Sequence, residues 1–335
     1  MPKIVTFGEI LLRLSTPGFQ KIAQAESFDC TFGGTEMNVG AALVNFGFEV
    51  SHVGVFPDNH IGKKAKAFIR KLGISDENIH LKGQRMGLFF LETGAVSRAS
   101  QIVYDRADSA FVNLDPNWFD WEEILKDADW FHWCGITPAV GEKPAIALLE
   151  ALKVAKKLGV KVSSDIYYRS NLWNYGKTPQ EILPELASYS NIILASRKNI
   201  EEIFGISSEE EKGKFQDTAK KLMAQYESIE KVIDTERIQI SASHNRMNAR
   251  MWNGQEYLKT ANLDITHIVD RVGTGDAFLG GFIYGQLTFK DDLKSLEFGN
   301  ASSALKHTIP GDQNLVDIAE VENLMLGDGS GKLKR

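Results

Sequence analysis

Short strand-like runs alternate with helix-like segments along most of this sequence. Lys3–Phe7 and Glu49–Phe56 are predicted strands, and Glu36–Asn45 between them has helical spacing and ends before Gly47, a common helix stop. Strands separated by helices form right-handed βαβ units, which build a mostly parallel sheet covered on both faces. We therefore expect a doubly wound α/β fold with its ligand site beyond the carboxyl ends of the strands.

The same alternation continues through the middle and the end of the chain. The further predicted strands are Asp129–Cys134, Lys161–Asp165, Asn191–Ala195, Lys231–Thr235 and strands within Ile238–Trp252. The further predicted helices are Pro144–Leu158, Gly275–Gln286 and Leu293–His307. No stretch between them is long enough to be a linker, so we expect one domain over residues 1–326 and a disordered tail over 327–335.

Two regions, 10–32 and 79–110, interrupt the alternation. They contain short alternating runs such as Leu88–Thr93 and Gln101–Asp105, without long helices. This pattern predicts a small antiparallel sheet inserted into the larger domain. Such a sheet could serve as a lid over the site or as the interface of a homodimer, which we expect to form through it.

The segment Val269–Phe278, with the sequence VDRVGTGDAF, carries the clearest chemical signal. Gly273 and Gly275 allow a tight turn with exposed N–H groups, and the residues after Gly275 favour a helix. A glycine turn leading into a helix N-terminus binds anions, because its N–H groups are unpaired and the helix dipole is positive there. Asp276 at this position is either an N-terminal charge cap or a base that faces the anion.

Several other site types are absent from the sequence. No Gly-x-x-x-x-Gly-Lys-Ser/Thr run is present, and Phe278 stands where a dinucleotide-binding loop would need its third glycine. Histidines and cysteines do not have metal-ligand spacing, and no Gly-x-Ser-x-Gly elbow occurs. These absences leave the turn at Gly273–Asp276 as the main candidate for chemistry.

Gly273–Asp276 resembles the anion-hole signature of the ribokinase-like (PfkB) carbohydrate kinases. A second stretch, Phe32–Gly40, resembles the amino-terminal Gly-Gly-x-x-x-Asn pattern of that family, and the two occur far apart and in the family's order. The resemblance implies that the N–H groups of Gly273, Thr274 and Gly275 stabilise a transferring phosphoryl group and that Asp276 takes the proton of a sugar hydroxyl.

The amino-terminal stretch would hold the sugar. The resemblance implies that Gly33, Gly34 and Asn38 contact sugar hydroxyls, with the glycines allowing close approach of the backbone. An ordinary turn before a helix is the alternative explanation of Gly33 and Gly34.

Two arginine-containing stretches resemble the 2-keto-3-deoxygluconate kinases, in which a Tyr-x-Arg element and a later arginine contact an acidic sugar. The first stretch contains Tyr104 and Arg106, and the second, after the predicted strand that ends at Asp165, contains Arg169. An arginine fork suits this role because it binds a carboxylate through two nitrogens. Arg106 could instead be a solvated strand residue, and Arg169 could pair with Asp165.

Two further positions match substrate contacts of the family. Phe89 stands where related kinases place an aromatic ring beside the sugar, and Asp312 follows Gly311 downstream of the last long helix. A residue of the lid core and a plain Gly-Asp turn are the respective alternatives.

The resemblance also implies ATP as phosphoryl donor, with Mg²⁺ carried by the nucleotide and with Ser196, Thr235 and Asn300 as nucleotide contacts. The sequence departs from the family here. Residues 196–199 read Ser-Arg-Lys-Asn instead of Asn-x-x-Glu, and residues 236–241 contain no glycine. Tyr167 also stands where the sugar-acid kinases tend to have Asn. The metal ligands therefore stay undefined.

The sequence thus predicts ATP-dependent phosphorylation of 2-keto-3-deoxygluconate to its 6-phosphate. A fructokinase- or ribokinase-like enzyme acting on a neutral sugar is one alternative, and a catalytically weak sugar-binding sensor is another. The net charge of -6 argues against non-specific binding to nucleic acid or to anionic membranes. Two isolated cysteines, Cys30 and Cys134, and no apolar run long enough for a membrane span predict a cytoplasmic protein.

Overall fold

The computed structural model describes residues 1–166, 172–208 and 214–327. Within these residues the chain forms a ten-stranded mixed sheet and a separate four-stranded sheet. Helices cover both faces of the larger sheet, which confirms the predicted doubly wound α/β fold. We call the four-stranded sheet the small sheet.

The strands and helices are numbered in chain order. The described strands are β1 (Lys3–Phe7), β2 (Leu11–Ser15), β3 (Asp29–Gly33), β4 (Glu49–Phe56), β5 (Ile79–Leu81), β6 (Leu88–Glu92), β7 (Gln101–Asp105), β8 (Trp130–Cys134), β9 (Lys161–Asp165), β10 (Ile192–Leu194), β11 (Lys231–Ser241), β12 (His244–Trp252), β13 (Tyr257–Lys259) and β14 (Leu263–Ile265). The described helices are α1 (Thr35–Asn45), α2 (His60–Lys71), α3 (Trp121–Leu125), α4 (Ile136–Ala139), α5 (Glu142–Leu158), α6 (Pro179–Ala187), α7 (Arg197–Phe204), α8 (Lys214–Gln225), α9 (Thr274–Thr288), α10 (Asp292–Lys306) and α11 (Ile318–Met325).

The large sheet has the order β13-β12-β11-β10-β9-β8-β1-β4-β5, with β14 paired to β12. Within this order, all neighbouring strands from β11 across to β5, namely β11, β10, β9, β8, β1, β4 and β5, pair in parallel. The pairs that β12 forms with β11, β13 and β14 are antiparallel. The carboxyl ends of the parallel strands meet at one edge of the sheet, where ligands of such folds bind.

The small sheet differs in two ways from its prediction. Its order is β3-β2-β6-β7, and β2 pairs with β6 in parallel, so the sheet is mixed rather than antiparallel. The two strands come from separate segments of the chain, and no tight turn between them forces an antiparallel pairing. In addition, β5 does not join this sheet but forms the edge of the large sheet beside β4.

Glycines bring α9 and α10 into close contact on one face of the large sheet. A Cβ atom on Gly285 would lie 2.6 Å from Ser295 Cα, and one on Gly281 would lie 2.9 Å from Ser302 Cβ. On α10, a Cβ atom on Gly299 would lie 2.8 Å from the carbonyl oxygen of Phe278 on α9. The absence of side chains at these positions lets the two helices pack backbone against backbone. This packing fixes the position of the N-terminus of α9.

Most predicted elements are confirmed, and β1, β4 and β9 have the predicted bounds. The strand predicted to end at Thr235 instead continues to Ser241, because its second half pairs with β12 in a hairpin. The predictions for Arg169, for Tyr167 and for the tail after Gly327 lie outside the described residues. Within the described residues, no helix combines the length and the apolar character needed to cross a membrane.

Candidate active site

A cleft of about 520 Å³ lies between the carboxyl ends of the parallel strands and the small sheet. Its wall includes residues at the carboxyl ends of β9 and β10, in the middle of β11, at the start of α1 and at the N-terminus of α9. The predicted site residues that line it are Gly33, Gly34, Asn38, Phe89, Tyr104, Arg106, Ser196, Thr235, Gly273, Thr274, Gly275, Asp276 and Asp312. Residues more than 200 positions apart are thus brought to one cavity, although their roles stay predictions.

A tight turn begins α9 at the cleft. Gly273 has φ +79°, and a Cβ atom there would lie 1.9 Å from the carbonyl oxygen of Asp312, so only glycine fits. Ser303 on α10 donates from its hydroxyl to the carbonyl oxygen of Thr274 over 2.7 Å, which holds the first turn of the helix. Gly275 is exposed to the cleft, and a Cβ atom there would meet no atom within 4 Å. The helix N-terminus can therefore receive an anion.

The carboxylate of Asp276 lies in this first turn and is buried. Asn38 donates from Nδ2 to Asp276 Oδ2 over 2.7 Å. Gln313 donates from Nε2 to Asn38 Oδ1 over 3.1 Å and to the carbonyl oxygen of Phe32 over 2.9 Å. Because Gln313 donates to the oxygen of the Asn38 amide, the NH₂ group of that amide faces Asp276. This chain of hydrogen bonds orients the carboxylate.

A buried arginine of the small sheet, Arg13, holds the segments next to the glycine turn at Gly273. Arg13 on β2 donates from Nη2 to Asp270 Oδ2 over 2.6 Å and from Nη1 to Asp312 Oδ1. Asp270 also accepts from the N–H groups of Val272 at 3.0 Å and Gly311 at 3.1 Å. Burial raises the pKa of the Asp312 carboxyl, and the Arg13 charge opposes that effect. The ion pairs therefore connect the two loops that flank the glycine turn.

The small sheet forms one half of the cleft. Arg106 donates from Nε to Glu9 Oε2 over 2.9 Å, and Ser109 donates to the other oxygen of the same carboxylate. The guanidinium carbon of Arg106 lies 5.8 Å from the ring centroid of Tyr104, which in turn lies 5.8 Å from the ring of Phe89. Arg106 is thus held by Glu9 at the wall of the cleft and is not a solvated strand residue. Phe89 is buried, so it packs within the sheet as well as lining the cleft.

Glu36 on α1 brings a second buried carboxyl to the cleft. Its Oε1 accepts from Thr137 Oγ1 at 2.6 Å and from the N–H of Cys134 at 3.2 Å. A Cβ atom on Gly8 would lie 2.1 Å from this carboxyl, so the glycine makes room for it. Burial, opposed by the hydrogen bond from Thr137 and reinforced by the charge of Asp276, raises the pKa of Glu36 to about 7. Its ionisation is therefore sensitive to pH in the neutral range.

The other half of the cleft contains the carboxyl end of β10 and the middle of β11. Ser196 and Asn199 form a capping box at the start of α7, with Ser196 Oγ accepting from the N–H of Asn199 over 3.1 Å. Both residues line the cleft, as does Thr235. Asn300 does not line it: this residue is buried in α10 and donates from Nδ2 to the carbonyl oxygen of Ala261 over 3.3 Å.

The described side chains do not form a preassembled metal site. Within residues 1–166, 172–208 and 214–327, no group of three or more His, Cys, Asp or Glu side chains is arranged to hold a metal ion. The donor set of a preformed magnesium site, several oxygen ligands around one point, is thus not assembled by the described side chains.

Sequence reasoning missed four residues that build this site. Gln313 stands directly after the predicted Asp312, and Glu36 lies inside the Gly-Gly-x-x-x-Asn stretch, so both had a positional signal. Arg13 and Glu9 appear in the sequence only as polar interruptions of an apolar run, which gives no indication of their partners.

Comparison with known proteins gives consistent matches over the whole chain. Residues 1–319 match the pfkB family of carbohydrate kinases. The crystal structure of 2-dehydro-3-deoxygluconokinase from Thermotoga maritima is 41% identical, with a TM-score of 0.93, over 97% of this chain and 98% of that chain. The 2-dehydro-3-deoxygalactonokinase of Haloferax volcanii is 28% identical over 98% of each chain. A fructokinase from Xylella fastidiosa, solved with bound ATP, shares the fold at 20% identity and a TM-score of 0.79, over 97% of this chain and 98% of that chain.

Proposed function

Because this chain belongs to the pfkB family of carbohydrate kinases, we propose that it uses ATP to phosphorylate 2-keto-3-deoxygluconate, a sugar acid, on its 6-hydroxyl. The observation that carries the proposal is the position of Asp276. Its carboxylate lines the cleft at the N-terminus of α9 and accepts a hydrogen bond from Asn38 at the start of α1. A base between an acceptor site and an anion-binding turn is the arrangement that phosphoryl transfer to an alcohol requires.

In the proposed reaction, the sugar hydroxyl is deprotonated by Asp276 as its oxygen attacks the γ-phosphorus of ATP. The bond from phosphorus to the sugar oxygen forms, the bond to the β,γ-bridging oxygen breaks, and that electron pair leaves with ADP. The N–H groups at the start of α9 and the positive end of its dipole stabilise the charge on the phosphoryl oxygens. Magnesium, which would arrive with the nucleotide, would neutralise further phosphate charge.

The small-sheet half is suited to the sugar acid. Arg106 supplies a cation, while Tyr104 and Phe89 supply aromatic surface beside it. A carboxylate that approaches this wall can share the guanidinium with Glu9. Gly33, Gly34 and Asn38 line the same cleft and would contact the sugar hydroxyls.

A panel of acceptors tests the proposed substrate. ADP release is measured with 2-keto-3-deoxygluconate, its galacto epimer, fructose and ribose at equal concentrations. We expect kcat/KM to be highest for a sugar acid, and phosphorus NMR of the product to show a primary phosphate ester. Faster turnover of fructose or ribose than of either sugar acid would reject the substrate and leave a neutral-sugar kinase. Absence of turnover with every acceptor would instead favour a sensor.

Substitution of Arg169 tests whether this arginine, predicted from the sequence, recognises the acid group of the substrate. Arg169 lies outside the described residues. Arg169→Ala is expected to raise KM for the sugar acid at least about tenfold, since a charge-assisted hydrogen bond contributes that order of binding. Arg197→Ala is the control, because Arg197 pairs with Glu201 on the surface of α7. Equal changes in KM for both variants would contradict a role for Arg169 in acid recognition.

We also propose that the protein is a homodimer that buries the outer face of the small sheet. Val103 on β7 is 52% exposed, and Phe90 beside it is only partly buried despite an edge-to-face contact with Phe28 at 5.5 Å. An apolar sheet face of this kind is stabilised by covering it. Analytical ultracentrifugation should give a dimer, and Val103→Lys should give a monomer. A monomeric wild type at micromolar concentration would overturn this proposal.

A further inference from the structure

Two arginines, Arg237 and Arg271, stand at the β11 half of the cleft. Arg237 lies on β11 and Arg271 lies two residues before the glycine turn, and both line the cleft. Among the residues that the structure describes, neither forms an ion pair with an Asp or Glu side chain. Arg271 donates from Nη2 to the carbonyl oxygen of Ala242 over 2.6 Å, which fixes its side chain without neutralising its charge.

The acidic residues next to these arginines in the sequence pair with other cations. Asp270, adjacent to Arg271, pairs with Arg13. Glu236, adjacent to Arg237, pairs with Arg250 at 2.7 Å and with Lys259 at 2.9 Å. An acidic chain, with net charge -6, thus places two cations at the wall of its cleft that form no ion pair with a described carboxylate. Such an arrangement creates a local positive potential that attracts anions.

The electrostatics of neighbouring groups agree with this view. Burial lowers the pKa of the Arg271 guanidinium and the positive charge of Arg237 lowers it further, while the negative charge of Asp270 opposes both effects. Burial and the charges of Arg237, Lys306 and Arg271 also lower the pKa of His307 to about 4, against the opposing hydrogen bond to the Ser303 carbonyl oxygen. His307 lines the same part of the cleft and is neutral at physiological pH.

We propose that Arg237 and Arg271 form a clamp for the polyphosphate chain of the nucleotide, beside the turn that begins α9. The inference rests on the proposed function, because it takes a nucleoside triphosphate as the phosphoryl donor. Arg271 precedes the turn that receives the γ-phosphoryl group, and Arg237 extends from the strand that carries Thr235. Two guanidinium forks can each bind phosphate oxygens through paired N–H groups.

The position of the pair favours phosphate over the carboxylate of the sugar. Arg106 lies in the small-sheet half of the cleft. Arg237 and Arg271 lie in the other half, together with Thr235 and Ser196. A polyphosphate carries several negative charges along its length, which matches two separate cations better than a single carboxylate does. The extension of β11 to Ser241 gives Arg237 a rigid base, since the hairpin with β12 pairs it with Met247.

Nucleotides of increasing phosphate number test the clamp. Calorimetry with adenosine, AMP, ADP and ATP, in the presence of magnesium, is performed on the wild type, Arg237→Gln, Arg271→Gln and the double variant. We expect ATP affinity to fall roughly tenfold or more in each single variant, a smaller loss for ADP, and none for adenosine. Arg246→Gln is the control, because Arg246 lies on the same hairpin but pairs with Asp264.

Other outcomes of the calorimetry would overturn the clamp alone or the proposed function as well. An equal loss for adenosine and ATP, or no loss beyond that of Arg246→Gln, would overturn the clamp while wild-type kinase activity left the proposed function intact. A rise in KM for the sugar acid without a loss of ATP affinity would also overturn it, because the arginines would then serve the acceptor. A wild type that neither binds ATP nor releases ADP contradicts both proposals. Arg237→Lys and Arg271→Lys, which keep the charge, replace any glutamine variant that fails to fold and should retain part of the ATP affinity.

Discussion

Asn38 donates a hydrogen bond to Asp276 over 2.7 Å, and this contact joins the start of α1 to the N-terminus of α9. The two residues are separated by 238 positions in the chain. The bond makes Asn38 a positioning residue for the proposed base as well as a candidate sugar contact. Gln313 fixes the orientation of the Asn38 amide, so the donor side of that amide faces the carboxylate.

Asn38→Asp should move the pH dependence of turnover. A second carboxylate at this distance disfavours ionisation of Asp276, because two negative charges at hydrogen-bonding distance repel each other. The acid limb of the kcat profile should therefore shift to higher pH. Asn38→Leu, which removes the hydrogen bond without adding charge, is the comparison. If both variants lose activity without a difference in pH profile, Asn38 does not tune Asp276.

Gly273→Ala and Gly275→Ala should separate folding from chemistry. A methyl group on Gly273 meets Asp312 and strains a backbone with φ +79°, so this variant should be destabilised by about 2 kcal/mol or more. A methyl group on Gly275 meets no protein atom, and alanine favours the helix, so stability should match or exceed that of the wild type.

Turnover of Gly275→Ala should nevertheless fall by at least about tenfold, because the methyl group lies where the phosphoryl group approaches the N–H donors. Urea unfolding and ADP release, measured on the same preparations, check both statements. Full activity in Gly275→Ala would place the phosphoryl group elsewhere.

Arg13→Leu should be among the most destabilising substitutions in the small sheet. It leaves the carboxylates of Asp270 and Asp312 buried without their cation, which costs about 3–5 kcal/mol in comparable cases. Urea unfolding measures the change, and Arg246→Leu on the surface of β12 should cost less than about 1 kcal/mol. Addition of Asp312→Asn to Arg13→Leu should recover part of the loss. An Arg13→Leu protein as stable as the wild type would contradict the structural role of the ion pairs.

Glu36→Gln should change how stability depends on pH. The pKa of Glu36 is raised from 4.5 to about 7 in the folded protein, so the folded state binds this proton more tightly than the unfolded state does. Stability from this group is therefore present at low pH and is lost as pH rises from about 4.5 through about 7.

Glutamine keeps the acceptor for Thr137 but does not ionise. We compare the free energy of unfolding of the variant with that of the wild type at each pH. The variant should gain on the wild type between pH 5 and pH 8, by a difference on the order of 2–3 kcal/mol. Thermal unfolding at the two pH values measures it, and a difference that is independent of pH would show that Glu36 does not titrate in this range.

The parts of the fold and site that were predictable are those that depend on local sequence. The strand β9 and the glycine turn at Gly273 follow from patterns within a few residues. The support of the turn does not: Arg13 pairs with carboxylates 257 and 299 positions away, and nothing near Arg13 in the sequence identifies them. The parallel pairing of β2 with β6 was missed for the same reason, because strand pairing between distant segments depends on tertiary packing.

Asp276→Asn provides the most direct test of the account. The variant keeps the size of the side chain and removes the base, so ATP affinity and thermal stability should stay close to those of the wild type. Its kcat with saturating 2-keto-3-deoxygluconate should fall by about 10²–10⁴-fold, the contribution typical of a general base. A kcat within a few-fold of the wild-type value would show that Asp276 does not deprotonate the acceptor and would contradict the proposed mechanism.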